Sequence, residues 1–388
     1  MRWRILALLF LTRIDLGFQF QTLVSVGDDL VAEFGIGYTE VGSLIGMFMV
    51  PGMFLALIAG FAGSRISDRW LVGFGLILLA GGGGIASIAE STLTLHVARA
   101  VCGAGFVFSS LYFTKMVADW FSGREIATAM SILVMSWPFG IAMGQIAHEW
   151  LAVTFGWRSA FMAATGYCAV GALLVLLFYR PPPMAETGSG PRLTLPRLSG
   201  RETALILIAA AVWGLFNAGY VVYLGFAPLV LEADGISSTA AAAIISIGSW
   251  LMIFSGAAAG QVADRTGKPD IVLYFCMLGG IAALLLLPLT SLAVGVSLLF
   301  GILGMAPAGI IMALTGQAMR PENRAFGMGL FFTVYFVIMT AVPPAAGWLY
   351  DRSGDAFDAI ELGILLFVAV MVSNLAFRML RKRRPVPA

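Results

Sequence analysis

The chain has 388 residues, of which 60% are hydrophobic and only 11% carry a charge. Soluble domains contain about 25% charged residues, so this composition excludes a soluble globular enzyme and indicates a chain that packs in lipid. The formal net charge is +2, which gives no reason to expect a nucleic-acid partner. The 46 glycines are typical of helices that pack closely in a membrane.

Long apolar runs, separated by charges, prolines and glycine clusters, divide the whole chain. A helix that crosses a bilayer needs about 20 mostly apolar residues, and the runs of that length predict an all-α membrane protein with twelve transmembrane helices. The first run begins like a signal peptide but has no small-residue cleavage site, so we predict an uncleaved helix. The twelve predicted helices span residues 5–27, 40–63, 69–89, 93–115, 125–147, 157–179, 203–230, 238–262, 270–289, 292–315, 325–348 and 357–379.

A proline- and glycine-rich segment without helical periodicity lies between the sixth and seventh runs. It predicts a cytoplasmic linker, residues 181–200, between two six-helix bundles, residues 1–180 and 201–388. The halves match at an offset of 200 residues, which indicates a duplicated unit with both copies in the same orientation. The matching pairs are Gly35 with Gly235, Ile36 with Ile236, Gly60 with Gly260, Arg65 with Arg265, and Arg124 with Arg324.

Lysines and arginines are concentrated on one side of the predicted topology. With the N-terminus in the cytoplasm, 19 of the 23 basic residues lie in cytoplasmic segments, in accordance with the positive-inside rule. Arg158 and Arg352 lie at the opposite face, whereas Arg13 and Arg99 fall inside helices. We therefore predict a multi-pass protein of a bacterial-type inner (plasma) membrane, with both termini cytoplasmic.

The most specific local motif is the loop between the eighth and ninth runs, GQVADRTGK at residues 260–268. We expect Gly260 to permit close helix approach and Gly267 to make the turn. Asp264 and Arg265 lie at a helix end, where they can pair across the cytoplasmic face. This loop resembles the G-x-x-x-D-R-x-G-[RK] loop of the major facilitator superfamily.

The corresponding first-half loop, residues 60–69, keeps only part of that pattern. It has Ser64 in place of the acid and Ser67 in place of the second glycine, and Asp68 is a candidate to supply the charge from a shifted position. A basic loop that only sets the topology remains the alternative. The resemblance implies gating roles for Gly60, Arg65, Asp68, Gly260, Asp264, Arg265 and Gly267.

Two further segments carry the resemblance over the rest of the chain. RAVCGAG at residues 99–105 is similar to the family's R-x-x-x-G-x-G pattern, and GWRSAF at residues 156–161 is similar to its G-W-R-x-x-F opening of the sixth helix. The resemblance implies two six-helix bundles related by a pseudo-two-fold axis, alternating access, and a substrate site at the membrane midplane. It also implies that the first, fourth, seventh and tenth helices line the path.

Polar residues inside predicted helices agree with that assignment, since intramembrane polar groups are costly and usually face a cavity or a partner. Asp15 is the candidate proton-coupling residue, and we expect it to neutralise one arginine, most plausibly Arg99. Two arginines against one aspartate would leave the surroundings positive and attract an anion. The candidate substrate-binding residues are Arg13, Gln19, Gln21, Arg99, Asn217, Tyr220, Tyr223 and Tyr335.

Structural roles stay open for the same residues. Arg13 could snorkel toward the cytoplasm, Arg99 could tie two helices together, and Asp15 could be a permanent ion-pair partner. The glutamines and Asn217 could make only interhelical hydrogen bonds, and the tyrosines could be ordinary packing.

The sequence therefore favours a secondary transporter, with a proton-coupled porter of a small organic or inorganic anion as the first hypothesis. The N-terminal residues and residues 114–125 are most similar to cyanate- and nitrate-type porters, although the arginines expected in the second and eighth helices of a nitrate porter are missing. The alternative is a proton-coupled drug or metabolite exporter. We expect no enzymatic activity, cofactor or metal site, a small-molecule substrate and protons as partners in a lipid bilayer, and a monomer.

Overall fold

The computed structural model describes residues 2–62, 66–121, 125–182, 198–320 and 323–382, and the described part is built from α-helices with short 3-10 and π turns. Gating candidate Arg65 and most of the predicted linker lie outside these residues. The α-helices are α1 (Arg2–Ser25), α2 (Gly27–Phe34), α3 (Tyr38–Met47), α4 (Val50–Ala62), α5 (Asp68–Ser87), α6 (Thr92–Phe121), α7 (Ile126–Phe155), α8 (Trp157–Phe178), α9 (Gly200–Ala233), α10 (Ser238–Thr266), α11 (Pro269–Leu286), α12 (Ala293–Leu299), α13 (Ala308–Met312), α14 (Leu314–Ala318), α15 (Arg324–Ser353) and α16 (Ala356–Lys382).

Eleven helical spans in the described part of the chain are long and apolar enough to cross a membrane. The remaining long helix, α1, has 24 residues, which is also enough to span the hydrocarbon core. It differs from the others in carrying Arg13, Asp15 and two glutamines along its length. The all-α, twelve-helix architecture predicted from the sequence is confirmed.

Two predicted helices are broken where a continuous run was expected. The second is split into α3 and α4 by a turn at residues 48–49, just before Pro51. The tenth consists of α12, a π-helical segment at Phe300–Gly304, α13 and α14. Pro307 lacks a backbone N–H and so cannot continue a regular ladder, which explains the interruption near the middle of the tenth span.

The described residues group into two units. The first contains residues 1–36 and 47–193, and the second contains residues 37–46 and 194–388. The helix α3 thus groups with the second unit, although it precedes α4 of the first unit in the chain. The predicted boundaries at residues 180 and 200 remain predictions.

Close helix packing at glycine holds the first unit together around α1. A Cβ at Gly17 would collide with the carbonyl oxygen of Trp137 in α7, and one at Gly140 would collide with that of Ile14. Similar backbone approaches at Gly75 and Gly105 join α5 to α6. The small residues let these helices approach closely enough for their backbones to touch, which fixes the position of the polar side chains on α1.

The 200-residue repeat is visible in the backbone. Gly35 and Gly235 both adopt positive φ, at 63° and 88°. Gly35 follows the short helix α2 and Gly235 follows the end of α9, and each glycine precedes the next membrane helix. Glycine reaches this region without the steric cost that a Cβ would bring. The repeat found in the sequence therefore corresponds to the same turn in both halves.

Candidate functional site

Arg13 is held by α7 of the first unit. Its Nη1 donates to the carbonyl oxygen of Leu133 at 2.8 Å and to the Oγ of Ser136 at 2.9 Å. Its Nε is buried, with no hydrogen-bond partner among the described residues. The guanidinium therefore has a fixed position between α1 and α7 and keeps one unused donor.

Asp15 points away from this arrangement and lies against α8. Its side chain is 1% exposed, and neither carboxylate oxygen has a hydrogen-bond partner in the part of the chain that the structure describes. The Oδ2 atom lies 2.9 Å from the position that a Cβ on Gly171 would occupy. The carboxyl group therefore fits here because residue 171 is glycine, and a larger side chain at this position would clash with it.

The expected ion pair between Asp15 and Arg99 is not formed, and that expectation is wrong. Arg99 in α6 is 1% exposed, and its Nη1 donates to the backbone carbonyl of Gln19 at 3.4 Å. Its guanidinium lies over the ring of Phe48, 4.6 Å from the centroid, and 6.0 Å from that of Phe20. The rings of Phe48 and Phe20 are thus among the groups that surround this cation.

Gln19 and Gln21 occupy separate buried places on α1. The Nε2 of Gln19 contacts the Sγ of Cys102 at 3.3 Å, and the Nε2 of Gln21 donates to Ser25 Oγ at 3.1 Å. The Oε1 atoms of both glutamines are buried without a hydrogen-bond partner among the described residues. Each amide therefore retains an unused acceptor inside the first unit.

Sequence reasoning missed a buried polar group around His148 in α7. The imidazole is fully buried, its Nε2 lies 3.4 Å from Thr22 Oγ1, and its ring centroid lies 4.0 Å from that of Phe18. Its Nδ1 and the Oε1 of Gln145 have no hydrogen-bond partner in the described part of the chain. The i, i+3 spacing of Gln145 and His148 places them on one helix face, and that was the available signal.

The candidate residues of the second unit divide into two pairs. Tyr220 and Tyr223 are buried, and their hydroxyls contact Ser249 Oγ at 2.9 Å and Ser297 Oγ at 3.3 Å. Asn217 and Tyr335 are partly exposed, and Asn217 Nδ2 donates to the carbonyl of Trp213 in its own helix. Tyr220 and Tyr223 thus make contacts of the kind expected if they only pack within the protein. Their roles in binding a substrate stay predictions.

The loop between α10 and α11 in the second half has the expected turn but not the expected packing. Gly267 ends α10 with φ of 65°, as predicted for the turn. The expectation that Gly260 permits close approach is wrong, because no heavy atom of the described residues lies within 4 Å of its Cβ position. Asp264 and Arg265 are exposed, and their gating roles stay predictions.

The first-half loop differs in conformation as well as in sequence. Ser67, where the family pattern has its second glycine, is extended, with φ of −67° and ψ of 145°. Asp68 begins α5, and its Oδ2 accepts a hydrogen bond from Lys115 Nζ at 2.6 Å. The same Nζ also forms an ion pair with Asp119 Oδ2 at 3.0 Å. Gly60 lies in α4. The shifted acid therefore binds a lysine of α6 within the first unit.

The GWRSAF segment has a structural role that the sequence did not reveal. Arg158 Nη2 lies 2.8 Å from Glu33 Oε1, and Trp157 Nε1 donates to Glu33 Oε2 at 3.1 Å. These two hydrogen bonds lower the pKa of Glu33 below its usual value. Gly156, with φ of 84°, makes the turn that brings Trp157 and Arg158 to α2.

Comparison with known proteins identifies the family. A model of the Major Facilitator Superfamily matches residues 9–343. The chain belongs to the major facilitator superfamily. It is 21% identical to a hexuronate transporter of Bacillus subtilis (strain 168) over 375 residues, covering 89% of this chain and 87% of that protein. It is 24% identical to a gallate transporter of Pseudomonas putida, covering 86% of this chain and 80% of that protein.

A solved structure shows the same fold across the whole chain. It is a bacterial homologue of the human lysosomal transporter Spinster, in an inward-facing and unoccupied conformation. The TM-score is 0.76 at 17% identity, covering 100% of this chain and 99% of the other. At this identity the likeness establishes the major facilitator fold alone.

Proposed function

We propose that this major facilitator protein is a proton-coupled secondary transporter of a small organic anion, working by alternating access. The observation that carries the proposal is the set of buried charges in the first unit. Arg13 and Arg99 are held by hydrogen bonds and aromatic rings, while the carboxyl of Asp15 has no hydrogen-bond partner among the described residues. The arginines and the aspartate can therefore act on different ligands.

Arg99 supplies the attraction for an anion. Charges inside a membrane are rare and typically mark substrate or ion pathways. A guanidinium in a low-dielectric interior attracts an anion far more strongly than it would in water. We assign Arg99 as the principal anchor and Arg13, with its unused Nε, as a second one; Gln19 and Gln21 would supply hydrogen bonds within the first unit.

Asp15 is assigned to carry the proton. A buried ionised carboxylate without a hydrogen-bond partner is very costly, whereas the neutral acid costs much less. Release of that proton requires a second arrangement in which water or a cation reaches the carboxyl, as alternating access would provide.

The relatives agree with an organic anion as the substrate class. Hexuronate and gallate, the compounds named for two of them, both carry a carboxylate. Asn217 and Tyr335, the partly exposed candidates of the second unit, are proposed to contact the substrate. Gly60, Arg65, Asp68, Gly260, Asp264, Arg265 and Gly267 are proposed for gating, in a plasma membrane with both termini in the cytoplasm.

Uptake into proteoliposomes tests the proposal. The purified full-length protein is reconstituted and offered a panel of labelled organic anions, with and without an inward proton gradient. We expect at least one anion to accumulate with the gradient and Arg99→Gln to weaken its uptake at least tenfold. No gradient-dependent uptake of any anion, together with resistance of expressing cells to lipophilic cations, would contradict the proposal and favour an exporter.

A further inference from the structure

Four aromatic rings form a closed circuit in the first unit. Phe20, Phe48, Phe106 and Trp137 each contact two others of the set, with centroid separations of 5.4 Å for Phe20–Phe48, 5.4 Å for Phe48–Phe106, 5.3 Å for Phe106–Trp137 and 5.4 Å for Phe20–Trp137. They come from α1, the turn after α3, α6 and α7. We call this set the aromatic quartet.

The quartet has a buried side and an accessible side. Phe20 and Phe48 are each 1% exposed, whereas Phe106 and Trp137 are partly exposed. Phe106 and Trp137 therefore present π-surface that the described residues leave partly uncovered. Aromatic pairs at 4.5–7 Å stabilise one another by about 0.5–1.5 kcal/mol beyond the area they bury, so a fifth ring would find a prepared surface.

A positive charge lies directly behind the buried side. The Arg99 guanidinium is 4.6 Å from the Phe48 centroid, and Phe48 in turn contacts Phe106. Arg99 and Phe106 are seven residues apart on α6, which places them on one helix face about 10.5 Å apart along the axis. A ligand over Phe106 and Trp137 is thus within about two helical turns of a buried cation.

We propose that the aromatic quartet is a substrate subsite and that the transported anion is an aromatic carboxylate. The ring of the substrate lies against Phe106 and Trp137, and its carboxylate is attracted by the positive charge of Arg99, which lies behind Phe48. This inference rests on the proposed anion transport and adds the chemistry of the apolar body. An aliphatic anion would gain the attraction of Arg99 but not the ring contacts, and a neutral aromatic would gain only the ring contacts.

Calorimetric titration of the purified full-length protein in detergent separates these contributions. The ligands are benzoate and 4-hydroxybenzoate, their saturated counterparts cyclohexanecarboxylate and 4-hydroxycyclohexanecarboxylate, and neutral benzamide. We expect at least one aromatic carboxylate to bind about two- to tenfold more tightly than its saturated counterpart, as one additional ring contact predicts. Binding of benzamide should not reach saturation at concentrations at which binding of the aromatic acid is saturated.

Variants of the accessible rings assign the preference to the quartet. Trp137→Leu and, separately, Phe106→Leu should reduce the aromatic preference to less than twofold, because each variant should weaken binding of the aromatic acid more than binding of the saturated acid. Trp150→Leu, an exposed tryptophan on the same helix α7, is the matched control and should keep the preference. Retained monodispersity in size-exclusion chromatography verifies that each variant is folded.

The outcomes distinguish the inference from the proposed function. Equal affinity for aromatic and saturated acids, or a preference that survives both Trp137→Leu and Phe106→Leu, would overturn the inference while leaving anion transport in place. Failure of every carboxylate to bind here, with no gradient-dependent anion uptake in proteoliposomes, would remove both.

Discussion

Thr39 and Asp351 are joined by two hydrogen bonds at the start of α3. The backbone N–H and the hydroxyl of Thr39 donate to Asp351 Oδ2 at 2.7 and 2.6 Å, and the N–H of Tyr38 donates to Oδ1 at 2.7 Å. The first N–H groups of a helix have no partner within it, and here a carboxylate of α15 supplies one. Asp351 therefore fastens α3 to α15 within the second unit.

Asp351→Asn should loosen the beginning of α3. The amide has only one acceptor oxygen and no charge to interact with the helix N-terminus, so we expect a loss of stability of about 1 kcal/mol. Hydrogen–deuterium exchange of a peptide containing residues 38–41 should become faster. Glu361→Gln, at an exposed site on α16, is the control. Unchanged exchange in Asp351→Asn would show that the carboxylate does not hold α3.

Gly42→Ala should separate α3 from α15. A Cβ at Gly42 would collide with the backbone at Pro343 and Pro344, and main-chain atoms cannot move aside as a flexible side chain can. We expect destabilisation of about 1–3 kcal/mol, measured as a lower thermal unfolding midpoint. Gly225→Ala, whose Cβ position meets no described heavy atom within 4 Å, should be neutral or stabilising. Equal midpoints for the two variants would contradict this packing.

Glu33 makes stability depend on pH at the acidic end. Because hydrogen bonds from Arg158 and Trp157 lower its pKa in the folded protein, its contribution is complete above the unfolded pKa of about 4.3 and is lost as pH falls through the folded value. The wild type should therefore exceed Glu33→Gln in thermal midpoint at pH 7, and the difference should shrink below about pH 4.3.

The control for this pH series is Glu90→Gln, at an exposed site before α6. Its thermal midpoint at pH 7 should stay close to that of the wild type. A constant difference between the wild type and Glu33→Gln across that range would show that Glu33 is not coupled to Arg158 and Trp157 as described.

Hydropathy and the 200-residue repeat were enough to predict the twelve helices and the equivalent turns at Gly35 and Gly235. The sequence could not predict which side chains of the first unit contact one another, because these contacts depend on how each helix is rotated about its own axis. The helical period predicts that Arg13 and Asp15, two residues apart, lie on different sides of α1, but it does not predict that these sides face α7 and α8. Arg99 was expected opposite Asp15 and instead contacts the rings of Phe20 and Phe48.

Glycine patterns show the same limit. Gly42 and Gly46 are four residues apart, and both pack closely against the backbone of α15. Gly256 and Gly260 have the same spacing, but neither packs closely against another helix of the described residues. Spacing shows which residues share a helix face, and only the neighbouring helix decides whether that face is covered. The grouping of α3 with the second unit likewise depends on contacts between residues about 300 positions apart.

The central claim is that Asp15 carries the proton that drives anion accumulation, and one comparison in proteoliposomes tests it most directly. Uptake of the transported anion is measured for the wild type, Asp15→Asn and the control Asp29→Asn, first with an inward proton gradient and then as exchange against the same anion inside. Asp15→Asn should lose gradient-driven accumulation and retain exchange, while Asp29→Asn behaves as the wild type. Accumulation by Asp15→Asn at the wild-type level would contradict the claim.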